Sequence, residues 1–156
     1  MKTELIQVGK TVDRHFMAGI EDYTGRVSHY MPFGITTVAE LKNTKSLSEQ
    51  QQKNKEGEMI LKLLKPSDYV VLLDERGREM TSVDFAGWIE KQRHASRRIV
   101  FVIGGPYGFS SEVYARADMK ISFSKMTFSH QMIRLIFVEQ LYRACTIIKG
   151  EPYHHS

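Results

Sequence analysis

The chain has 156 residues, with 22 Lys and Arg against 18 Asp and Glu, a net charge of +4 and a pI near 9.2. At 42% hydrophobic and 26% charged residues it reads as one soluble domain with room for a real core, and no apolar run nears the roughly 20 residues of a membrane span. A single cysteine, Cys145, excludes an intrachain disulfide and a Cys-rich zinc site, and the opening MKTELIQVGK lacks a signal core, so a cytoplasmic protein is expected.

In chain order, residues 4–8 (ELIQV) are predicted to be the first strand. The turn after it, GKTVDR, has one glycine and no G-x-G-x-x-G, which excludes the ordinary dinucleotide fingerprint. The spacing of Phe16, Ile20 and Tyr23 predicts a helix over residues 12–23, with Gly25 helping to end it. The β-branched run at residues 33–38 reads as a strand. Residues 46–65 are predicted to form a long helix capped by Ser46 or Ser48, and Ser46 with Glu49 fits a capping box. Its polar first half is either a solvated face or an RNA-facing arm carrying Lys42, Lys45, Lys53 and Lys55.

After Pro66, residues 69–73 (YVVLL) are continuously apolar, as in a buried parallel strand, and end in a turn at Asp74-Glu75-Arg76-Gly77. Thr81 or Ser82 caps the next helix, whose apolar face holds Phe85, Trp88 and Ile89. Lys91, Arg93, Arg97 and Arg98 are a solvated helix end or a set of phosphate contacts. Residues 99–103 (IVFVI) form another buried strand, ending at Gly104-Gly105-Pro106-Tyr107-Gly108. Ser110 or Ser111 caps a short helix, and residues 120–123 make the last strand. This alternation predicts an α/β fold with a largely parallel sheet.

The final helix, from His130, is apolar around its whole circumference, so a second subunit is expected to cover its outer side. Cys145 lies in that helix and reads as packing. His130 and Arg134 share a face, and Arg143 is on the opposite side.

Ligands of open parallel sheets bind beyond the carboxyl ends of the strands. Three apolar strands here end in polar or glycine-rich turns, after Leu73, Ile103 and Phe123, which points to a small-molecule cleft. Gly104 and Gly105 either offer backbone to a ligand or simply make a tight turn. There is no P-loop, nucleophile elbow or H-E-x-x-H, and His130, His154 and His155 are not read as metal ligands.

The ordered succession LLDERG, FVIGGPYG, ISFSKMTFSHQMIRLIFVEQLYRA and a terminal PYH resembles the RlmH family, formerly the YbeA group, of SPOUT-superfamily large-subunit ribosomal RNA methyltransferases. The resemblance spans essentially the full chain. It implies one SPOUT methyltransferase domain over residues 1–156: an α/β fold, its mostly parallel sheet flanked by helices, with a C-terminal trefoil knot. It implies that S-adenosyl-L-methionine binds, bent, in the knotted loops. It also implies a homodimer that methylates N3 of a pseudouridine in helix 69 of 23S rRNA on the assembled 70S ribosome.

Residue by residue, the resemblance carries cofactor contacts to Leu73, Gly105, Phe123, Ser124, Lys125, Met126, Thr127 and Phe128. It sets His130 and Arg134 at the start of the helix beside that loop. Tyr153 and His154 match the family's C-terminal pair near the target base. Where the family commonly continues with Lys or Arg, this chain has His155 and then Ser156, so a cation there requires a protonated His155.

Within that reading His154 is the expected general base for the N3 proton, Tyr153 orients or covers the base, and Arg134 stabilises negative charge on a uracil carbonyl. A methyltransferase of the same fold acting on tRNA, and a non-catalytic ribosome-associated binder, are the competing classes. The lack of a separate RNA-binding domain weighs against tRNA. Neither a metal nor a membrane is expected as a partner.

Overall fold

A computed structural model describes residues 2–95 and 97–155. Ser156 lies outside the described residues.

The elements are β1 (Thr3–Val8), α1 (Arg14–Ser28), β2 (Phe33–Val38), α2 (Glu49–Lys62), β3 (Tyr69–Glu79), α3 (Ser82–Arg93), β4 (Ile99–Ile103), α4 (Ser111–Arg116), β5 (Met119–Ser122) and α5 (His130–Lys149). The strands form one sheet in the order β2-β1-β4-β3-β5, every pairing parallel, as the apolar runs predict.

Side chains alternate across a strand, so each buried strand feeds two cores. Leu5, Val71, Phe101 and Ile121 face the layer holding α1, α3 and α5, where the rings of Phe101 and Phe137 pack at a tilt of 54° with centroids 4.8 Å apart. Ile6, Val70, Leu72, Val100 and Val102 face α2 and α4, meeting Ile60, Phe109 and Val113. Strands buried on both faces cannot show a polar alternation, which is why YVVLL and IVFVI are unbroken apolar runs.

The helix ends differ from expectation in physically simple ways. α1 runs past Gly25 to Ser28, because a side chain at Gly25 would meet nothing within 4 Å and the glycine merely sits on an open face. α2 is capped by Ser48, which accepts from Gln51 N while the Gln51 side chain returns the bond. Ser46, expected as partner of Glu49 in that box, instead closes a 3-10 turn at Thr44–Ser46. Thr81 and Ser110 cap α3 and α4.

The stretch Asp74 to Gly77 is not a simple turn. β3 continues through it, with a register shift between Leu73 and Arg78 before it pairs again with β5. Gly77 is required there: a Cβ would lie 2.7 Å from Ile121 N and C, so backbone would have to move. Gly77→Ala is expected to cost about 2 kcal/mol, read as a lower midpoint in urea unfolding. Unchanged stability would mean that the two strands separate freely at the shift.

α5 lies over the sheet, packed against α1 and α3. These neighbours cover much of what the helical wheel leaves apolar, so Leu135, Tyr142 and Ile148 are half-buried within one chain. Most of the large apolar side chains that stay exposed gather instead near one end, Leu63 at the close of α2 being an exception. Val12, Met17, Val83, Met126, Phe128 and Met132 all lie at or near the beginnings of α1, α3 and α5. Helices of a parallel α/β layer begin at the carboxyl edge of the strands, so this is the edge that carries the register shift of β3 and the turns after β4 and β5.

Candidate cofactor pocket and C-terminal tail

At that carboxyl edge the shifted stretch of β3 and the turns after β4 and β5 enclose one cavity of about 680 Å³, within the range of small-molecule sites. Leu73 enters from β3, Ile103 to Gly105 from β4 and its turn, and Phe123 from the loop after β5. His130 and Ile133, at the start of α5, close one side. Of the expected cofactor residues, Leu73, Gly105, Phe123 and Ser124 line this cavity, as do Met126, Thr127 and Phe128. Lys125 does not line it: its side chain is 87% exposed and its Nζ lies 3.9 Å from Glu79 Oε1.

The loops are tied to each other. Thr127 Oγ1 donates to Glu75 Oε2 at 2.7 Å, linking the loop after β5 to the extension of β3. Ser122 Oγ donates to Ser124 O at 2.8 Å, and Met126 N donates to Ser124 Oγ at 2.9 Å. The Tyr114 hydroxyl donates to Asp74, and burial with that bond pushes the phenol up to about 12.

Side chains have little room on the turn after β4. A Cβ on Gly104 would approach the Phe109 ring at 3.0 Å, and one on Gly105 would approach Glu56 Oε1 at 2.5 Å. The cradle therefore presents backbone to the cavity, beside the rings of Phe123 and Phe128. That combination suits a flat heteroaromatic ring with a polar edge.

Lys53, from the polar half of α2, also lines the cavity, while Lys42, Lys45 and Lys55 are exposed. Of the basic run, Arg98 is spoken for: it donates to both oxygens of Asp68, at 3.0 and 2.6 Å, and to Leu63 O. Burial alone would raise the Asp68 carboxyl, but the bonds from Arg98 and Lys65 N and the nearby cations outweigh it and hold it below its ordinary value. Lys91, Arg93 and Arg97 remain on the surface.

Arg134 is not at the cavity. It is 1% exposed, its Nη2 donating to Val8 O at 2.6 Å and its Nη1 to Thr11 Oγ1 at 2.9 Å. Its Nε is buried without a partner among the described residues. It ties the start of α5 to the end of β1.

The tail lies elsewhere. Gly150, at φ 70°, ends α5, and Glu151 N closes the turn on Thr146 O. The chain then folds back along α1 and α5. Tyr30 donates to Glu151 Oε2 at 2.8 Å, Tyr153 packs edge-on against Tyr142 at 4.7 Å, and the Tyr153 and Tyr23 hydroxyls lie 3.4 Å apart. Burial and then the Tyr23 contact raise the Tyr153 phenol, keeping it protonated.

Arg143 joins this group, and spacing along the helix gave no sign of it. Its guanidinium sits 4.8 Å over the Tyr153 ring, pairs with Glu139 Oε1 at 2.8 Å, and reaches His154 Nδ1 at 3.1 Å. A guanidinium has only donors, so His154 Nδ1 is the acceptor and the ring proton of the neutral imidazole sits on Nε2. The free nitrogen of His154 is therefore a donor. Expected as a general base, His154 is held here in the opposite role. His155 is exposed, with no bond recorded among the described residues.

Arg143 stands more than three helical turns from His130, roughly 20 Å along the axis. Pocket and tail of one chain do not meet. Among the described residues no set of three or more His, Cys, Asp or Glu is placed to hold a metal ion, and no helix is long and apolar enough to cross a membrane. Cys145 is buried in the core, which pushes its thiol up to about 11.

The family described as "Predicted SPOUT methyltransferase" matches residues 1–154. The chain is similar along its full length to proteins named ribosomal RNA large subunit methyltransferase H. It is 62% identical to that of Bacteroides fragilis, 60% to that of Phocaeicola vulgatus and 50% to that of Flavobacterium johnsoniae, with 100% of both chains covered each time. Among solved structures, a probable methylase family protein from Haemophilus influenzae shares the fold. The TM-score is 0.51 at 14% identity, covering 99% of this chain and 70% of that one.

Proposed function

The chain belongs to the SPOUT methyltransferase family, and from that membership we propose that it methylates N3 of a pseudouridine in helix 69 of 23S rRNA, on assembled ribosomes, with S-adenosyl-L-methionine as donor. The observation that carries the reading is the convergence of the shifted stretch of β3 and the turns after β4 and β5 on one glycine-backed cavity. The rRNA target follows the named relatives, and the nucleotide follows the resemblance in the ordered motifs.

The donor, when bound, supplies an electrophilic methyl on a sulfonium. The residues of the chain do the rest. Backbone at Gly104 and Gly105 and in the loop after β5 holds the adenosyl portion, while Phe123 and Phe128 enclose its ring. Tyr153, kept neutral, covers or orients the target base. His154 donates from Nε2 to a ring carbonyl and favours negative charge on the base as N3 loses its proton to water. Arg143 fixes the His154 ring and its tautomer. Arg134, expected to meet the uracil carbonyl, acts from the interior by positioning the start of α5.

Because tail and pocket of one chain stand apart, the reacting site is composite: the tail of one subunit serves the pocket of its partner. The exposed apolar side chains near the pocket edge favour burial against a second copy.

The reading is tested by offering labelled S-adenosyl-L-methionine to ribosomes lacking helix 69 methylation, with free 23S rRNA and tRNA alongside. Label at one pseudouridine of the ribosomes is expected. Label on tRNA alone would overturn the substrate, and binding without transfer to any RNA would overturn the enzyme. Transfer should weaken as salt rises, since phosphate contacts release counterions.

A further inference from the structure

The most polar stretch of the chain hides a carboxylate. Glu56 of α2 is 4% exposed although its neighbours Lys53, Lys55 and Glu58 all carry charge. Its Oε2 accepts from Gln52 Nε2 at 3.1 Å, and its Oε1 is buried with no partner among the described residues. The next residue, Gly57, admits Ser110 so closely that α2 seats against the start of α4. That contact presses Glu56 onto the back of the glycine turn, where a Cβ on Gly105 would come 2.5 Å from Oε1. Gly105 itself lines the cavity, whereas Glu56 does not. Between an unpaired carboxyl and the cavity there is a residue with no side chain.

A buried carboxylate without a counter-ion is unfavourable. Desolvation raises the Glu56 carboxyl above its ordinary value. The Gln52 bond and the charge of His130, at the start of α5, work against that rise, and Glu40, beyond β2, adds to it. No salt bridge reaches Glu56 among the described residues. Such a group is matched by a ligand that brings its own positive charge.

The methyl donor proposed above is a sulfonium cation, and the product left after transfer is a neutral thioether; the two are otherwise alike in charge. We infer that Glu56 distinguishes donor from spent product, its carboxylate favouring the cationic ligand across the Gly105 backbone. The inference rests on the reading of the cavity as the donor site. Transfer removes the charge that Glu56 favours, so the same residue that helps load the donor lets the product leave.

The sign of the linkage is fixed. A cationic ligand favours the ionised carboxylate, so donor binding releases protons and donor affinity falls in acid through the raised range of Glu56. Binding of the neutral thioether releases no proton from Glu56, so its affinity carries no such dependence.

The test is calorimetric titration of the full-length protein, without RNA, by S-adenosyl-L-methionine and by S-adenosylhomocysteine. It is run at about pH 6 and about pH 8, in buffers of different ionisation enthalpy. The intact protein is expected to prefer the donor by roughly tenfold at the higher pH, and to release more protons with donor than with product. In Glu56→Gln the preference and the extra protons both disappear while product affinity stays, which a merely structural role would not produce. Equal proton release with both ligands in the intact protein would overturn the inference, as would an unchanged preference in the variant. If the variant does not fold, the comparison is made in His130→Asn, where the extra protons persist if Glu56 releases them and vanish if His130 does, which would overturn the inference. If neither ligand binds the intact protein, the donor-site reading itself falls and the inference with it.

Discussion

Deleting residues 153–156 is expected to lower methyl transfer to ribosomes by at least about a thousandfold while changing donor affinity by less than about twofold. The deletion removes Tyr153 and His154, the groups proposed to meet the base, and leaves every residue that lines the cavity. Arg143 keeps its bond to Glu139, so α5 is not stripped of partners.

The sharper form of this experiment mixes two inactive variants. Gly105→Val drives its side chain into the buried Glu56 carboxylate and onto the cavity wall, and should lose the donor; the truncated chain should keep it. If the tail serves the partner's pocket, a mixed dimer holds one intact site, and random mixing should restore roughly a quarter of the original activity. If the tail serves its own pocket, no subunit of the mixture is complete and the mixture stays inactive. That result would sink the composite site. Retained turnover in the truncated protein alone would sink the tail's catalytic role.

Arg134→Met is expected to act on stability first. The native guanidinium makes two charge-assisted bonds in the interior, to Val8 O and Thr11 Oγ1. Met keeps much of the packing but leaves the Val8 carbonyl buried without that donor. The cost should be about 3 kcal/mol, reduced from the gross value of the two bonds because the desolvation of the cation is recovered. Burial lowers the pKa of this arginine, with the charge of Glu40 opposing, a sign of how fully it is withdrawn from water. Urea unfolding measures the loss. A variant with unchanged stability and selectively lost turnover would return Arg134 to the reacting base, where the sequence first put it.

These two cases show how far residues alone could carry the reading. The strands were legible because parallel strands covered on both faces are continuous apolar runs, and the cavity was legible because three such runs end in polar or glycine-rich segments, although the one after Leu73 is a shifted continuation of β3 and not the expected turn. Ser48 rather than Ser46, and Gly25 inside α1, were decided by local geometry that several residues satisfied about equally. Glu56 and Gly57 could not be found in SEQQQKNKEGE by polarity, since α4 and the glycine turn decide their burial. The signal that was there is the glycine inside a helix, a conformational cost that asks for a close contact.

Arg143 was missed for a related reason. A wheel places it opposite Arg134, but the wheel does not know that Gly150 turns the chain back. The fold-back brings Tyr153 and His154 to Arg143 and changes which nitrogen of His154 is free. Arg134 misled in the other direction. A charged residue one turn from a pocket-lining histidine looks like a ligand contact, and only its bonds to β1 and the turn beyond it reveal a brace.

α5 has the cavity at its first turn and the tail folded against its last turns. In a two-fold pair that brings each tail to the opposite cavity, the two copies of this helix run antiparallel, and the two reaction centres lie about one helix length apart, roughly 30 Å. The helix is then a ruler. One added turn would shift both tails out of step with both cavities together, so in such a pair its span would be set by the distance between two catalytic halves as well as by the core it covers.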